Sequence, residues 1–201
     1  AQAKKAAAPF QQTSLQIRNP IADLTLPSKL ESNPYPLQTA PCSPAALLRE
    51  LAAWHMNNGL PDPFDLELSI SPEMEGCMVG GDADLLLRAF RNLTGNSIRH
   101  NPQGCTIRIR AFPAAGMVQL QFSDTGQGIP VAIIKTLYHP SSQRPAKDSG
   151  SPSSSGRGQS RSAPHVMGLR IVKQIIEAHH GQIEFELQKD VCRCVKISLP
   201  V

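Results

Sequence analysis

The chain has 201 residues, a hydrophobic content of 40% and a mild formal net charge of +4. This length predicts one domain with a short appendage, and the charge admits a polyanionic ligand such as a nucleotide without indicating a nucleic-acid partner. No apolar run is long enough for a membrane span, and the five cysteines lack the C-x-x-C spacing of a zinc site. We therefore expect a cytoplasmic chain without membrane contact of its own, which leaves open an anchor in a longer parent protein.

Residues 1–33 are predicted to be an N-terminal tail, and residues 34–201 are predicted to form the domain. The first nine residues are rich in Ala and Lys, and Pro20 and Pro27 interrupt the helical spacing that follows. The segment from Asn33 to Pro44 carries four prolines, which predict an extended entry into the domain.

Regular elements are predicted from Ser43 onward. Ser43 and Pro44 are typical of a helix start, and the helix is expected to end before Gly59 with Trp54 in the core. Alternating residues predict a strand at 66–70. The later predicted elements are a helix at 85–101, strands at 106–112 and 117–122, a short helix at 130–138, a helix at 166–179 and closing strands at 182–187 and 193–199.

The predicted helix at 85–101 has two distinct faces. One face carries Leu86, Phe90, Leu93 and Ser97, at spacings of four, three and four residues. A polar stripe about a quarter-turn away carries Asn92, Asn96 and Arg99. A carboxamide oxygen can ligate a hard cation such as Mg²⁺, and its NH₂ group can donate to phosphate. The stripe therefore indicates a polar ligand, with a solvated helix face as the alternative.

A glycine-rich turn, Asp124-Thr125-Gly126-Gln127-Gly128-Ile129, follows the predicted strand at 117–122. A carboxylate at this position can accept a hydrogen bond from an exocyclic amine, which adenine offers and guanine replaces with a carbonyl oxygen. Gly126 and Gly128 would let the backbone approach a base without an intervening Cβ. The alternative is an ordinary Asx turn.

Residues 139–164 change sharply in composition to Ser, Gly, Pro, Arg and Lys, and they predict a flexible loop. Its basic residues suggest a lid that closes over phosphate, with a solvated linker as the alternative. Gly168 and Leu169 are predicted to begin the next helix, whose free N–H groups could receive phosphate oxygens.

The order of an Asn-bearing helix, an Asp-x-Gly-x-Gly turn, a flexible loop and a Gly-Leu helix resembles the GHKL ATP-binding family. Within that family, the order is similar to that of the sensor histidine kinases, and the resemblance covers residues 23–201. It implies a two-layer α/β sandwich, in which a mixed sheet is covered on one face by about three helices.

The resemblance also implies ATP and Mg²⁺ as ligands. Asn96 would hold Mg²⁺ between the phosphates, Asn92 would lie near the γ-phosphate, and Arg99 would pair with phosphate in place of the usual Lys. His100 would lie against the nucleotide, with a packing role as the alternative. Further nucleotide contacts are implied for Asp124, Gly126, Gly128, Ile129, His165, Gly168 and Leu169.

One motif departs from the family. The family pattern before the last helix is Gly-x-Gly-x-Gly-Leu, whereas this chain has Pro164-His165-Val166-Met167-Gly168-Leu169. Two glycines are therefore missing, so at these two positions the chain lacks the glycines that form the family's tight backbone cradle for the triphosphate. His165 is a candidate phosphate contact, with a helix cap as the alternative.

The N-terminal tail has two competing alignments. Residues 23–31 resemble the end of the second dimerisation helix of some histidine kinases, which we prefer. Residues 17–21 alternatively resemble the phosphoacceptor box, with Leu15 where the His would fall. Under either alignment no His precedes His55, so the phosphoacceptor is expected outside this chain.

The resemblance implies the catalytic and ATP-binding domain of a bacterial two-component sensor histidine kinase. Such a domain would transfer the γ-phosphoryl group of ATP to a His on the dimerisation helices of its parent, with a response regulator as the next partner. Two alternatives are a degenerate nucleotide-binding regulatory module without kinase activity and an anti-sigma-type serine kinase. A gyrase-type or mismatch-repair ATPase is disfavoured, because the chain has no room for a transducer domain.

Overall fold

The structure is a computed structural model that describes residues 37–138 and 164–201. The predicted N-terminal tail with its dimerisation-helix remnant, the domain boundary at residue 34 and all of the predicted lid except Pro164 lie outside the described residues. These predictions therefore stay predictions.

The described residues form eight strands and four helices. In chain order they are β1 (Ala40–Cys42), α1 (Pro44–Asn58), β2 (Asp65–Ile70), β3 (Val79–Gly81), α2 (Ala83–His100), β4 (Thr106–Ala114), β5 (Met117–Asp124), β6 (Ile129–Pro130), α3 (Val131–Tyr138), α4 (Pro164–Ala178), β7 (Gln182–Gln188) and β8 (Val191–Pro200). A single 3₁₀ turn, Pro72–Met74, precedes β3.

The main sheet is mixed, as predicted. Strand β2 runs parallel to β4, and β4, β5, β8 and β7 then pair antiparallel in that order. The short strand β6 also pairs with β8, beyond the end of β5. Strands β1 and β3 form a separate antiparallel pair. The expected α/β sandwich is confirmed, with four described helices where about three were expected.

The sheet buries one face against the helices and leaves the other face to solvent. Ile109 pairs with Phe122, and Phe122 pairs with Val195, so these three buried side chains lie on one face. The ring of Phe90 on α2 packs 5.5 Å, centroid to centroid, from the ring of Phe122. On the other face Arg108 bonds Glu67 at 2.7 Å, and both side chains are solvent-accessible.

Local caps set where α1 and α2 begin. The Ser43 hydroxyl accepts from the backbone N–H of Ala46 at 3.3 Å, and Pro44 occupies the first turn of α1. The Asp82 carboxylate accepts from the backbone N–H of Leu85 at 3.1 Å and caps α2. The apolar stripe predicted for α2 is buried, with Leu86 and Phe90 both at 0% exposure.

The prediction that Trp54 lies in the core is wrong. Its side chain is 37% exposed, and the guanidinium of Arg91 lies over its ring at 5.1 Å. The neighbouring His55 is buried instead, with Nε2 2.9 Å from the Thr94 hydroxyl. Trp54 and His55 follow the buried Leu51 by three and four residues. Helical spacing alone therefore does not predict which of the two is buried.

The start of α4 also differs from the prediction. The helix begins at Pro164, so Gly168 lies in its second turn and does not open it. Amide N–H groups inside a helix bond the carbonyl four residues earlier, so those of Gly168 and Leu169 are not free to receive phosphate. A proline at the first position of the helix is favourable, because the N–H that it lacks would have had no helical partner.

Candidate functional site

A cleft of about 620 Å³, including its open mouth, lies where α2, α4 and the start of β8 meet the turn after β5. Its polar lining includes Asn96, Ser97, His100, Asn101, Asp124 and Arg193, and its apolar lining includes Leu93, Phe122, Ile129, Ile133, Leu169 and Val195. A concave, mostly apolar site with a few polar groups is typical of small-molecule binding.

The sheet register creates the glycine-rich turn at residues 124–128. Ser123 at the end of β5 pairs with Cys194, and Ile129 in β6 pairs with Cys192, so both strands bond the same neighbour, β8. The chain therefore leaves the sheet after Asp124 and rejoins it at Ile129, which presents the turn at the edge of the cleft.

Asp124 is held by hydrogen bonds from two sides. Its Oδ1 accepts from the backbone N–H of Gly126 at 2.9 Å, as in an Asx turn. Its Oδ2 accepts from the hydroxyl of Ser97 on α2 at 2.7 Å. The Asx turn that the sequence offered as an alternative is thus present, and the same carboxylate also lines the cleft.

Both glycines of the turn are required by neighbouring protein atoms. A Cβ on Gly126 would lie 1.9 Å from Oδ1 of Asn101. Gly128 has a φ of +74°, and a Cβ there would lie 2.7 Å from the carbonyl oxygen of Cys192. No side chain fits at either position, whether or not a base lies against the turn.

Two amide groups on α2 lack a hydrogen-bond partner among the residues that the structure describes. Nδ2 of Asn96 and Nδ2 of Asn92 are both buried and unpaired. A buried polar group without a partner costs about 1–3 kcal/mol, so each such group calls for an explanation. Asn96 lines the cleft, and a Cβ on Gly168 of α4 would lie 3.4 Å from its Oδ1.

The remaining predicted site residues divide into two groups. His100, Ile129 and Leu169 line the cleft with Asn96, Asp124 and Gly128. Arg99 is exposed, and its Nη2 lies 3.9 Å from where a Cβ on Gly95 would be. Neither Arg99 nor Asn92 belongs to the cleft lining. The side chain of His165 lies outside the description, although its backbone belongs to α4.

Sequence reasoning missed Asn101, which joins α2 to the turn. Its Nδ2 donates to the carbonyl oxygen of Ser97 at 2.8 Å, and its Oδ1 accepts from the backbone N–H of Gln127 at 2.8 Å. The side chain is only 5% exposed. A signal was available, because Ser97 is a polar residue in an otherwise apolar stripe and Asn101 follows it four residues later.

Arg193 was also missed, and a β-bulge brings it to the site. In the pairing of β7 with β8, Glu186 faces Cys194 but Leu187 faces Cys192, which leaves Arg193 as the extra residue. Its Nη1 donates to the carbonyl oxygen of Gly126 and so ties the turn to β8. A bulge depends on long-range pairing, and no local sequence pattern predicted it.

The thiols near the cleft are poor nucleophiles. Burial raises the pKa of Cys192 to about 11 and also raises the pKa of Cys105 and of Cys194. Within the described part of the chain, no three His, Cys, Asp or Glu side chains are placed to hold a metal ion. Among the described helices, none is long and apolar enough to cross a membrane.

Comparisons with known proteins agree on one family. A family model described as Histidine kinase-, DNA gyrase B-, and HSP90-like ATPase matches residues 81–201. The probable sensor kinase SilS of Salmonella typhimurium is 31% identical over 116 residues, which are 55% of this chain and 20% of that protein. The adaptive-response sensory kinase SasA of Thermosynechococcus vestitus is 31% identical over 125 residues, which are 62% of this chain and 30% of that protein. The chain thus spans less than a third of either relative.

A solved structure gives the same result for the fold. The histidine kinase AdeS of Acinetobacter baumannii matches with a TM-score of 0.65 at 17% sequence identity. The match covers 96% of this chain and 86% of that one. At this level of identity the likeness concerns the fold alone.

Proposed function

Because the chain belongs to the family of histidine kinase-, DNA gyrase B- and HSP90-like ATPases, we propose that residues 34–201 form the ATP-binding catalytic domain of a sensor histidine kinase. The sensor kinases among its relatives support the choice within the family. One observation carries the proposal: one cleft is lined both by the Asp124 carboxylate and by Asn96, whose buried Nδ2 has no partner among the described residues.

The Asp124 end of the cleft is proposed to hold adenine. The carboxylate accepts from Gly126 and Ser97 and lines the cleft, where it would also accept from the exocyclic amine of the base. Guanine carries a carbonyl oxygen in that position, and two facing acceptors repel each other. Ile129 and Leu169 supply apolar surface to the same cleft.

The Asn96 end is proposed to hold the triphosphate and Mg²⁺. The buried Nδ2 of Asn96 has no partner among the described residues and suits a phosphate oxygen as acceptor, and the oxygen of the same amide is of the kind that a hard cation binds. When bound, Mg²⁺ would neutralise charge on the phosphate oxygens. Asn92, one turn earlier on α2, has the same unpaired amide and is proposed to lie near the γ-phosphate.

The helix α4 is proposed to face the phosphates with its N-terminal end. The first turn of a helix carries unpaired N–H groups and a partial positive charge. Gly168 is proposed to keep Asn96 open to the ligand, because a Cβ at this position would lie 3.4 Å from Oδ1 of Asn96. Arg99, His100 and His165 remain proposed nucleotide contacts, and Arg99 would have to act from outside the cleft lining.

The domain itself would position ATP and would form no covalent intermediate. Phosphoryl transfer depends on in-line placement of an acceptor and on neutralisation of the phosphate charge. The cleft would place ATP for the acceptor, and Mg²⁺ and Arg99 would neutralise the charge. The acceptor is proposed to be a His on dimerisation helices outside this chain, with a response regulator as the later partner. We propose a cytoplasmic location for the domain.

Calorimetric titration with ATP, with and without Mg²⁺, tests the proposal. We expect binding that Mg²⁺ strengthens, and an absence of ATP binding under both conditions would contradict the proposal. The kinase step is then measured with γ-labelled ATP and a supplied dimerisation domain that carries a phosphoacceptor His. An acid-labile, base-stable phosphate on that domain is expected. ATP binding without phosphoryl transfer would instead indicate the alternative, a nucleotide-binding regulatory module without kinase activity.

A further inference from the structure

We propose that Ser97 is a positioning residue that fixes the Asp124 carboxylate and thereby sets the discrimination between 6-amino and 6-oxo purines. The inference rests on the proposed binding of adenine nucleotides and names a residue that controls its specificity. Ser97 would act only through Asp124, with no direct contact to the 6-position of the base.

The orientation of the Asp124 carboxylate is fixed at both of its oxygens. Oδ1 accepts from the backbone N–H of Gly126 at 2.9 Å, and Oδ2 accepts from the hydroxyl of Ser97 at 2.7 Å. An ionised carboxylate has about four lone-pair directions. These two bonds therefore set the rotation of the group and leave acceptor capacity free on the side that lines the cleft.

The hydroxyl of Ser97 is the one donor that reaches Oδ2 from α2. The neighbouring amide of Asn101 lies 3.5 Å from the other oxygen, Oδ1, and its stronger bond goes to the Ser97 carbonyl oxygen at 2.8 Å. Without the Ser97 hydroxyl, Oδ1 would keep its Gly126 bond while Oδ2 could turn away from the base. The loss would therefore fall on the hydrogen bond to the 6-amine.

Asn101 has a different role in the same turn. It accepts from the backbone N–H of Gln127 at 2.8 Å and packs against Gly126, so it holds the path of the backbone. Disturbing that path would weaken every purine nucleotide alike. Ser97 alone is expected to separate binding of the 6-amine from binding of the rest of the nucleotide.

The test compares ADP with inosine diphosphate, which differs from ADP by a 6-oxo group in place of the amine and by a proton on the adjacent ring nitrogen. Affinities of the wild-type chain and of Ser97→Ala are measured by displacement of a fluorescent ATP analogue, which keeps weak binding measurable. We expect Ser97→Ala to weaken ADP binding by about tenfold, as for loss of one charge-assisted hydrogen bond, and to change inosine diphosphate binding by less than about twofold.

Two further variants separate positioning from a general effect on the fold. Ser97→Thr keeps the hydroxyl and should keep the ratio of the two affinities. Ser198→Ala removes a serine hydroxyl that bonds Gln119 at 3.0 Å, away from the cleft, and should change neither affinity. Thermal unfolding of each variant establishes that the compared proteins are folded.

Equal weakening of both nucleotides in Ser97→Ala would overturn the proposal and would leave the proposed ATP-binding function standing. An unchanged ADP affinity in that variant would also overturn it. If the wild-type chain bound neither nucleotide, both the proposed ATP-binding function and the proposed role of Ser97 would be contradicted.

Discussion

The backbone N–H of Asp82 donates to Nε2 of His179 at 2.9 Å and joins the start of α2 to the residue after α4. Nδ1 of the same ring lies 2.7 Å from the carbonyl oxygen of Ile175, and the side chain is only 3% exposed. With Nε2 as an acceptor, Nδ1 carries the proton and donates to that carbonyl oxygen. Two of the helices that line the cleft, α2 and α4, are thus tied together at the end away from Gly168.

Replacement of His179 by Phe should destabilise the domain. The substitution keeps a ring but leaves the Asp82 N–H without its buried partner, so we expect a loss of about 1–3 kcal/mol in the free energy of unfolding. Urea denaturation measures this loss, with the exposed His180→Asn as control at below about 0.5 kcal/mol. Equal stability of His179→Phe and the wild type would show that the bond contributes nothing.

Gly126→Ala should disrupt the turn at 124–128. The added Cβ would lie 1.9 Å from Oδ1 of Asn101, so the turn or the Asn101 side chain must move. We expect a loss of about 1–3 kcal/mol in stability, together with weaker binding of ADP and inosine diphosphate alike. Gly80→Ala is the matched control, because no heavy atom lies within 4 Å of its added Cβ. A Gly126→Ala protein with wild-type stability and affinity would contradict the observed packing.

Asn96→Ala should remove the dependence of ATP binding on Mg²⁺. The amide oxygen is the proposed metal ligand, so we expect the ratio of ATP affinities with and without Mg²⁺ to fall to about one. Binding of adenosine, which lacks phosphates, should stay as in the wild type. Asn57→Ala, on the exposed side of α1, serves as the control. If ATP binding by Asn96→Ala still depended fully on Mg²⁺, Asn96 would not be a metal ligand and its role would be structural.

The buried His55 should make the stability fall in mild acid. Burial, and then the positive charge of Arg91, lower the pKa of His55 from its ordinary value of 6.5. Above pH 6.5 the imidazole is neutral in both states, and its contribution is fully present. As the pH falls from there through the folded-state pKa, the unfolded chain takes up the proton first, so the free energy of unfolding decreases.

His55→Gln isolates this contribution, because Gln keeps an N–H donor for Thr94 and does not titrate. Denaturation midpoints of both proteins between pH 7.5 and 4.5 give the difference in slope. We expect the variant to lose less stability than the wild type below pH 6.5. Parallel curves would show that the proton affinity of His55 does not change on folding.

Elements set by local pattern were predicted well from the sequence. The buried stripe of α2 follows from the spacing of Leu86, Phe90 and Leu93, and the cap of α1 follows from Ser43 and Pro44. The mixed sheet followed from the family resemblance. The family assignment itself is confirmed by the match at residues 81–201.

Features that depend on distant parts of the chain were not predicted. Arg193 reaches the turn because a bulge interrupts the pairing of β8 with β7, which no short window of sequence shows. Ser97 was assigned to the apolar stripe by its helical spacing, and its hydrogen bond to Asp124, 27 residues away, does not follow from that spacing. Trp54 was expected inside as a continuation of the apolar residues Leu48 and Leu51, but it lies at the surface, where Arg91 covers its ring.

The discrimination between ADP and GDP, measured by calorimetry for the wild type and for Asp124→Asn, tests the proposed adenine site most directly. Asn keeps one acceptor oxygen but loses the charge, so we expect ADP binding to weaken by at least about 1.5 kcal/mol. The exposed Asp190→Asn is the matched control and should bind as the wild type does. The proposed site predicts a wild type that binds ADP and rejects GDP. Equal binding of GDP by the wild type, or an unchanged ADP affinity in Asp124→Asn, would contradict it.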